Sequence, residues 1–153
     1  MRKVMFAALL AGAIAVPALA QDVAVSLQSA VFIERLGHTG DGRVQRRIEP
    51  AARLKHGDRV VLMVEWQARP TQQGFIVTSA IPATIAFERT SNDAMEVSVD
   101  GGKHWGMLGA LKIAGRDGTR LASPEDVTHL RWQVAPNDAQ RGMGRMTYSA
   151  IVR

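Results

Sequence analysis

Arg59-Val60-Val61-Leu62-Met63-Val64-Glu65-Trp66-Gln67-Ala68 decides the fold class. The even positions Val60, Leu62, Val64, Trp66 and Ala68 are apolar and Arg59, Glu65 and Gln67 lie opposite, the period of two of a strand with one buried face. Val61 and Met63 make the middle apolar on both faces, which predicts a central strand. Trp66, in phase with the valines and leucine, is the predicted core anchor, because an aromatic on such a face belongs to a core far more often than to a binding surface. The turn Lys55-His56-Gly57-Asp58 leads into this strand and Pro70 closes it.

The same period recurs on both sides. Upstream, Val23, Val25, Leu27, Val31 and Ile33 share one parity, with Asp22, Ser26, Gln28 and Glu34 on the other; Ser29 interrupts the apolar face and predicts a bend or a change of sheet. Gly37 to Gly42 is turn-rich, and Val44 to Ile48 forms a short strand before Pro50. Downstream, Gly74 to Ser79 starts a strand, Pro82 breaks the pattern and Thr84 to Phe87 resumes it. Met95, Val97 and Val99 alternate up to the turn Asp100-Gly101-Gly102, with Lys103 to Leu108 expected as the returning arm of a hairpin. Gly115-Arg116-Asp117-Gly118 is a further turn. Leu130, Trp132 and Val134 alternate with Arg131 and Gln133, and Met146, Tyr148, Ala150 and Val152 share the face of a last strand. No stretch carries a long helical period. The expected fold is an all-β antiparallel sandwich of about seven to nine strands.

The N-terminus reads differently. Arg2 and Lys3, the apolar run Val4 to Val16, and Ala18-Leu19-Ala20 after Pro17 have the order of a secretory signal peptide over residues 1–20, cleaved to leave Gln21. The apolar run is shorter than the roughly 20 residues of a membrane span, and no cysteine follows for lipid attachment. Residues 21–153 are then expected as one domain, periplasmic or secreted. The signal carries two of the 19 basic residues and none of the 14 acidic ones, so 17 basic against 14 acidic residues leave a net charge of +3 with the histidines neutral. Arg43, Arg46 and Arg47 form the one local basic cluster, read as a solvated strand or loop face, and no nucleic-acid partner is expected. With no cysteine, neither a disulfide nor a thiolate site is available, and stability rests on core packing.

From Leu54 to Val152 the chain resembles a bacterial family of conserved-repeat domains, domain of unknown function 11. The Gly57-Asp58 turn leading into Val60 to Trp66 is similar to the family's turn and alternating strand. Ala80-Ile81-Pro82 with Ile85 and Phe87 resembles its apolar-proline segment, Val97 to Lys103 its Asp-Gly-Gly hairpin, and Leu130-Arg131-Trp132 with Gly144 to Val152 its closing strands. The family's Asn-Thr-Gly turn is replaced by Arg69 to Gly74, and the family's tandem copies are here a single one. The resemblance implies an immunoglobulin-like sandwich in an exported or cell-surface protein, and it brings no catalytic residues.

Ser98-Val99-Asp100-Gly101-Gly102-Lys103-His104-Trp105 also fits the Asp-box pattern of sialidases and other secreted β-proteins. The physics is local: a carboxylate accepts turn N–H groups, glycine supplies positive φ, and the aromatic packs beneath. Ser98, Asp100, Gly102 and Trp105 are therefore expected as a structural hairpin turn. A sialidase needs several copies on a propeller, more than one short chain builds. Asp93, Asp100 and Asp117 are the loop acids open to calcium, but they lack the dense spacing of a calcium-binding loop. His38, His56, His104 and His129 lack zinc spacing. Neither Gly-x-Ser-x-Gly, His-Glu-x-x-His nor a phosphate-binding glycine loop occurs. No catalytic residue, metal or cofactor is assigned.

Two function classes follow from these features. The first is an exported interaction or structural module that contacts an envelope or cell-surface protein or a glycan through loops or sheet edges. The alternative is a small exported carboxylate-dependent hydrolase or sugar-binding protein using Asp100, Glu96 or Glu125, which requires two carboxyls about 5 to 10 Å apart in a cleft. An outer-membrane barrel fits poorly, because aromatics make up only 5% of the residues and barrels of that kind carry aromatic girdles; no integral membrane association is expected.

Overall fold

The computed structural model describes residues 24–90, 92 and 94–153. The signal peptide expected over residues 1–20, Asp22 and Val23 of the first expected strand, and Asp93 lie outside the described residues. Among the described residues ten strands form three antiparallel sheets: β1 (Val25–His38), β2 (Val44–Pro50), β3 (Arg59–Ala68), β4 (Phe75–Ala80), β5 (Ile85–Thr90), β6 (Glu96–Ser98), β7 (Lys112–Gly115), β8 (Gly118–Leu121), β9 (His129–Val134) and β10 (Met143–Val152). A five-stranded sheet, ordered β2-β1-β3-β10-β5, and a three-stranded sheet, ordered β4-β9-β6, make the two layers of a sandwich. The strands β7 and β8 form a separate ribbon. The expected all-β sandwich is therefore what the chain forms, immunoglobulin-like in having two antiparallel layers and with a strand order of its own. Its last strand lies inside the large sheet, between β3 and β5, whereas the last strand of an immunoglobulin domain is an edge strand.

Period-two patterning places the core. From the large sheet Val60, Leu62, Val64 and Trp66 of β3, Phe87 of β5 and Tyr148 and Ala150 of β10 point inward; from the small sheet Val77, Leu130, Trp132 and Val134 meet them in one buried cluster. β3 sits between β1 and β10, which accounts for the apolar Val61 and Met63 on its other face. Trp66 is 3% exposed and meets Phe75 edge to face at 5.3 Å. It lies opposite Gly144 of β10, where an added Cβ would stand 2.6 Å from the indole ring. Only glycine leaves the indole room there. Burial pushes the Tyr148 phenol up to about 12.

Two local expectations are corrected by the structure, and a third feature, the pair of strands beside an expected turn, is new. β1 runs unbroken through Ser29 and stays in one sheet, pairing with β3 from Val25 to Ile33, because main-chain bonding to β3 does not depend on the side chain at that position. The returning arm expected over Lys103 to Leu108 reduces to one bridge, Val97 with Gly106, since β6 pairs on its other side with β9 and Leu108–Ala110 turns into a 3₁₀ helix. The turn at Gly115–Gly118 joins two strands that the exposed, mixed-polarity residues of β7 and β8 do not announce.

Candidate functional site

Two hairpin ends and one cleft stand out. The first hairpin is β1–β2. β1 pairs with β3 only as far as Ile33, whereas its pairing with β2 runs from Phe32 to His38. Glu34 to His38 and Val44 to Ile48 therefore form a two-stranded arm without β3 beside it, about 17 Å long at 3.4 Å per residue. Its tip is well tied. Thr39 N–H donates to Arg43 C=O at 2.9 Å and Gly42 N–H to Thr39 C=O at 2.8 Å, Gly42 takes a φ of 80°, and the Thr39 hydroxyl donates to Asp41. That bond and the Arg43 N–H hold the Asp41 carboxyl below its usual range.

The two faces of the arm differ. On one, Leu36 stands opposite Arg46, with Val44 and Ile48 two residues to either side of Arg46. Exposures of 65%, 66% and 52% for Leu36, Val44 and Ile48 make this an apolar cluster in water. On the other face Arg35 and Arg47 are direct cross-strand partners, a like-charged pairing that opposes strand association. Arg47 Nη1 reaches Glu49 at 3.7 Å. The base of the arm is clamped by ions. The Glu34 side chain, 3% exposed, is ion-paired with Arg46, whose Nε lies at 2.9 Å, and lies 4.0 Å from Arg59 Nη1; Arg59 in turn donates to Glu88 of β5 at 2.8 Å. The cluster Arg43, Arg46 and Arg47 is thus partly spent on pairs within the arm.

The second hairpin end carries the Asp-box residues. Ser98 is fully buried; its hydroxyl donates to Asp100 Oδ1 at 2.8 Å and accepts Gly102 N–H at 2.9 Å. Asp100 Oδ1 also accepts the N–H groups of Lys103 and His104 at 3.1 and 3.0 Å, and Asp100 Oδ2 meets His104 Nδ1 at 2.5 Å. Those bonds, led by the His104 N–H, hold the Asp100 carboxyl well below the carboxylate range. Gly101 and Gly102 take φ values of 79° and 87°, the left-handed region that favours glycine. Trp105 lies under the turn, edge-on to His129 at 6.4 Å and covered by the Arg131 guanidinium at 4.6 Å. Arg131 is in turn fixed by Glu96 Oε2 at 2.9 and 2.6 Å. The four residues Ser98, Asp100, Gly102 and Trp105 therefore act on one another and on the strand below. Trp66 belongs to the core at a different place.

Of the carboxylates of the hydrolase reading, Asp100 is engaged in its own turn and Glu96 with Arg131, while Glu125 lies in the short 3₁₀ helix Pro124–Asp126, where its main-chain carbonyl accepts Arg153 Nη2. Asp117 sits in the β7–β8 turn. Among the described residues no three His, Asp or Glu side chains converge as metal ligands. His38 lies on the arm, His56 in the turn before β3, His104 in the Asp-box turn and His129 at the start of β9. Among the described residues no helix is long and apolar enough to cross a membrane.

The cleft, of about 620 Å³, is bordered by residues of β9 and β10 and lined by Trp66, Trp132 and Met146 together with the charged Asp138, Arg141 and Arg145. Sequence reasoning missed the arm and the cleft. Leu36, Val44 and Ile48 were legible as alternating apolar residues, but nothing local says that no layer faces them. Compared with protein-family models, curated proteins and solved structures, the chain matches none of them.

Proposed function

We propose that this chain is an exported interaction module that docks onto an envelope or cell-surface protein through the β1–β2 arm. In this reading residues 1–20 direct export and are removed, residues 21–153 act as one immunoglobulin-like domain in the periplasm or outside the cell, and no step of catalysis is involved. The observation that carries it is the apolar cluster Leu36, Val44 and Ile48, held in water on a rigid arm. Exposed apolar clusters of this kind mark protein contacts more often than chance exposure does. Arg46, which stands among the three aliphatic side chains, and Arg35 and Arg47 on the opposite face of the arm suit a protein partner that offers an apolar patch with acidic groups. The resemblance to the conserved-repeat domains points the same way. The locked state of Asp100 supports a structural turn over a catalytic acid, because a carboxyl held well below its usual range neither donates a proton at neutral pH nor accepts one readily.

The test is crosslinking in the native cells followed by recovery of the chain and mass spectrometry. The reading expects a reproducible partner protein and an N-terminus at Gln21. Recovery of the chain alone, or of an unprocessed chain in the cytoplasm, would overturn it.

A further inference from the structure

We propose that the cleft between β9 and β10 receives an extended polypeptide segment as an added strand. This deepens the interaction-module reading, on which it rests, by giving the module a second contact with a defined class of ligand.

The case begins with unequal pairing. β10 bonds to β3 from Met143 to Ile151, but on its other side β5 pairs only with Tyr148 to Val152. β9 bonds to β4 along its whole length, but β6 pairs only with His129 to Arg131. Among the described residues, then, Met143–Thr147 of the large sheet and Trp132–Val134 of the small sheet have no strand on one side. Both open edges border the same cleft. The chain shows why: β5 ends at Thr90 and the next strand, β6, belongs to the other layer, so the track beside Met143–Thr147 is left without its strand.

Alternation identifies the groups on offer. Arg153 N–H donates to Thr84 C=O, on the β5 side, and Gly57 N–H donates to Val152 C=O on the β3 side. The odd residues of β10 therefore turn their main-chain groups toward β5. At Thr147 the carbonyl is met by the Thr90 hydroxyl at 3.3 Å, a side chain standing in for the missing main-chain donor. Beyond it, Arg145 and Met143 present N–H and C=O to the cleft. In β9, Val97 exchanges both its bonds with Gly106, which leaves Glu96 facing Arg131; by the same alternation Gln133 presents its main-chain groups to the open side.

These unpaired donors and acceptors state the chemistry of the occupant. Another main chain in extended conformation satisfies them in series, and neither a glycan nor a small ion does so with that spacing. About five residues of β10 set the length of the contact, about 17 Å. Side chains of the added strand would meet a mixed lining, the nearly buried Trp66, Trp132 and Met146 and the charged Asp138, Arg141 and Arg145, so apolar residues should alternate with polar or charged ones.

The probe is a library of random linear peptides displayed on phage and selected on the whole mature protein, followed by synthetic copies of the enriched sequences. The expected result is enrichment of apolar residues at every second position and binding that shifts the amide resonances of Gln133, Met143 and Arg145. N-methylation of alternate peptide amides, which removes main-chain donors and leaves side chains intact, is expected to weaken binding by at least about tenfold. The variant carrying Leu36→Ser, Val44→Ser and Ile48→Ser should bind the same peptides unchanged, since the arm is a separate surface. The inference is overturned by a selection that enriches nothing, by shifts that gather on the arm, by N-methylated peptides that bind as well as their parents, or by a second copy of this chain found pairing with the Met143–Thr147 edge. In any of those cases recovery of a partner through the arm would leave the interaction-module reading standing.

Discussion

The β1–β2 arm and the Asp-box turn are built with the same local chemistry. Each ends in a turn with glycine at positive φ, and in each an aspartate accepts a hydroxyl and a main-chain N–H, Thr39 and Arg43 onto Asp41 and Ser98 and His104 onto Asp100. What differs is the layer beneath. The Asp-box turn folds back on the small sheet: Ser98 is buried, Gly101 N–H reaches the Thr128 hydroxyl at 3.1 Å, and Trp105 is stacked by Arg131. The arm leaves β3 behind at Ile33 and carries three aliphatic side chains into water. Turn chemistry thus makes a hairpin rigid, and the surface under it decides whether rigidity closes the fold or presents a contact.

Substitutions sharpen this contrast. The reference is Trp66→Ala in the shared core, expected to cost about 3 to 5 kcal/mol of unfolding free energy in urea titrations. Ser98→Ala should cost about 1 to 3 kcal/mol, because the buried turn loses a hydroxyl that both donates and accepts. Glu34→Ala, at the base of the arm, is expected to cost about 1 to 2 kcal/mol, reduced by the exposure of its arginine partners. Combined replacement of Leu36, Val44 and Ile48 by serine should leave stability within about 0.5 kcal/mol. A large loss there would mean that the arm, like the Asp-box turn, is part of the core, and the contrast would fail.

Acid separates the two turns further. The Asp100 carboxyl is held below its ordinary value of 3.8 in the fold, so its contribution is present above that value and lost as pH falls through the folded pKa. Asp126, held low first by Arg120 and then by the Ser123 N–H and hydroxyl, behaves likewise. Asp100→Asn should therefore lower stability at neutral pH and flatten the loss between about pH 5 and pH 2, measured by denaturant midpoints across that range. An unchanged acid slope would show that the carboxylate does not hold the turn.

The sandwich was legible where one face of a strand is buried and the other is not. Val60 to Trp66, Leu130 to Val134 and Met146 to Ala150 write that asymmetry into the sequence, and the Asp-box pattern is legible because the hydrogen bonds among Ser98, Asp100, Gly102 and His104 lie within eight residues of chain. The rest depends on distant contacts. The ribbon β7–β8 has no buried face to create a pattern, the chain Arg46–Glu34–Arg59–Glu88 joins four strands, and the open edges of β9 and β10 arise only because β5 and β6 stop short. An exposed Leu36 and a buried Leu62 look alike in sequence; only the position of the facing sheet tells them apart.

The most direct test of the account compares two forms of the protein in native cells, the parent and the variant with Leu36→Ser, Val44→Ser and Ile48→Ser, by crosslinking and recovery. The account expects both to fold equally well, with a partner protein recovered by the parent and lost by the variant. The same partner recovered in equal amount by both forms would contradict it and remove the arm from the contact.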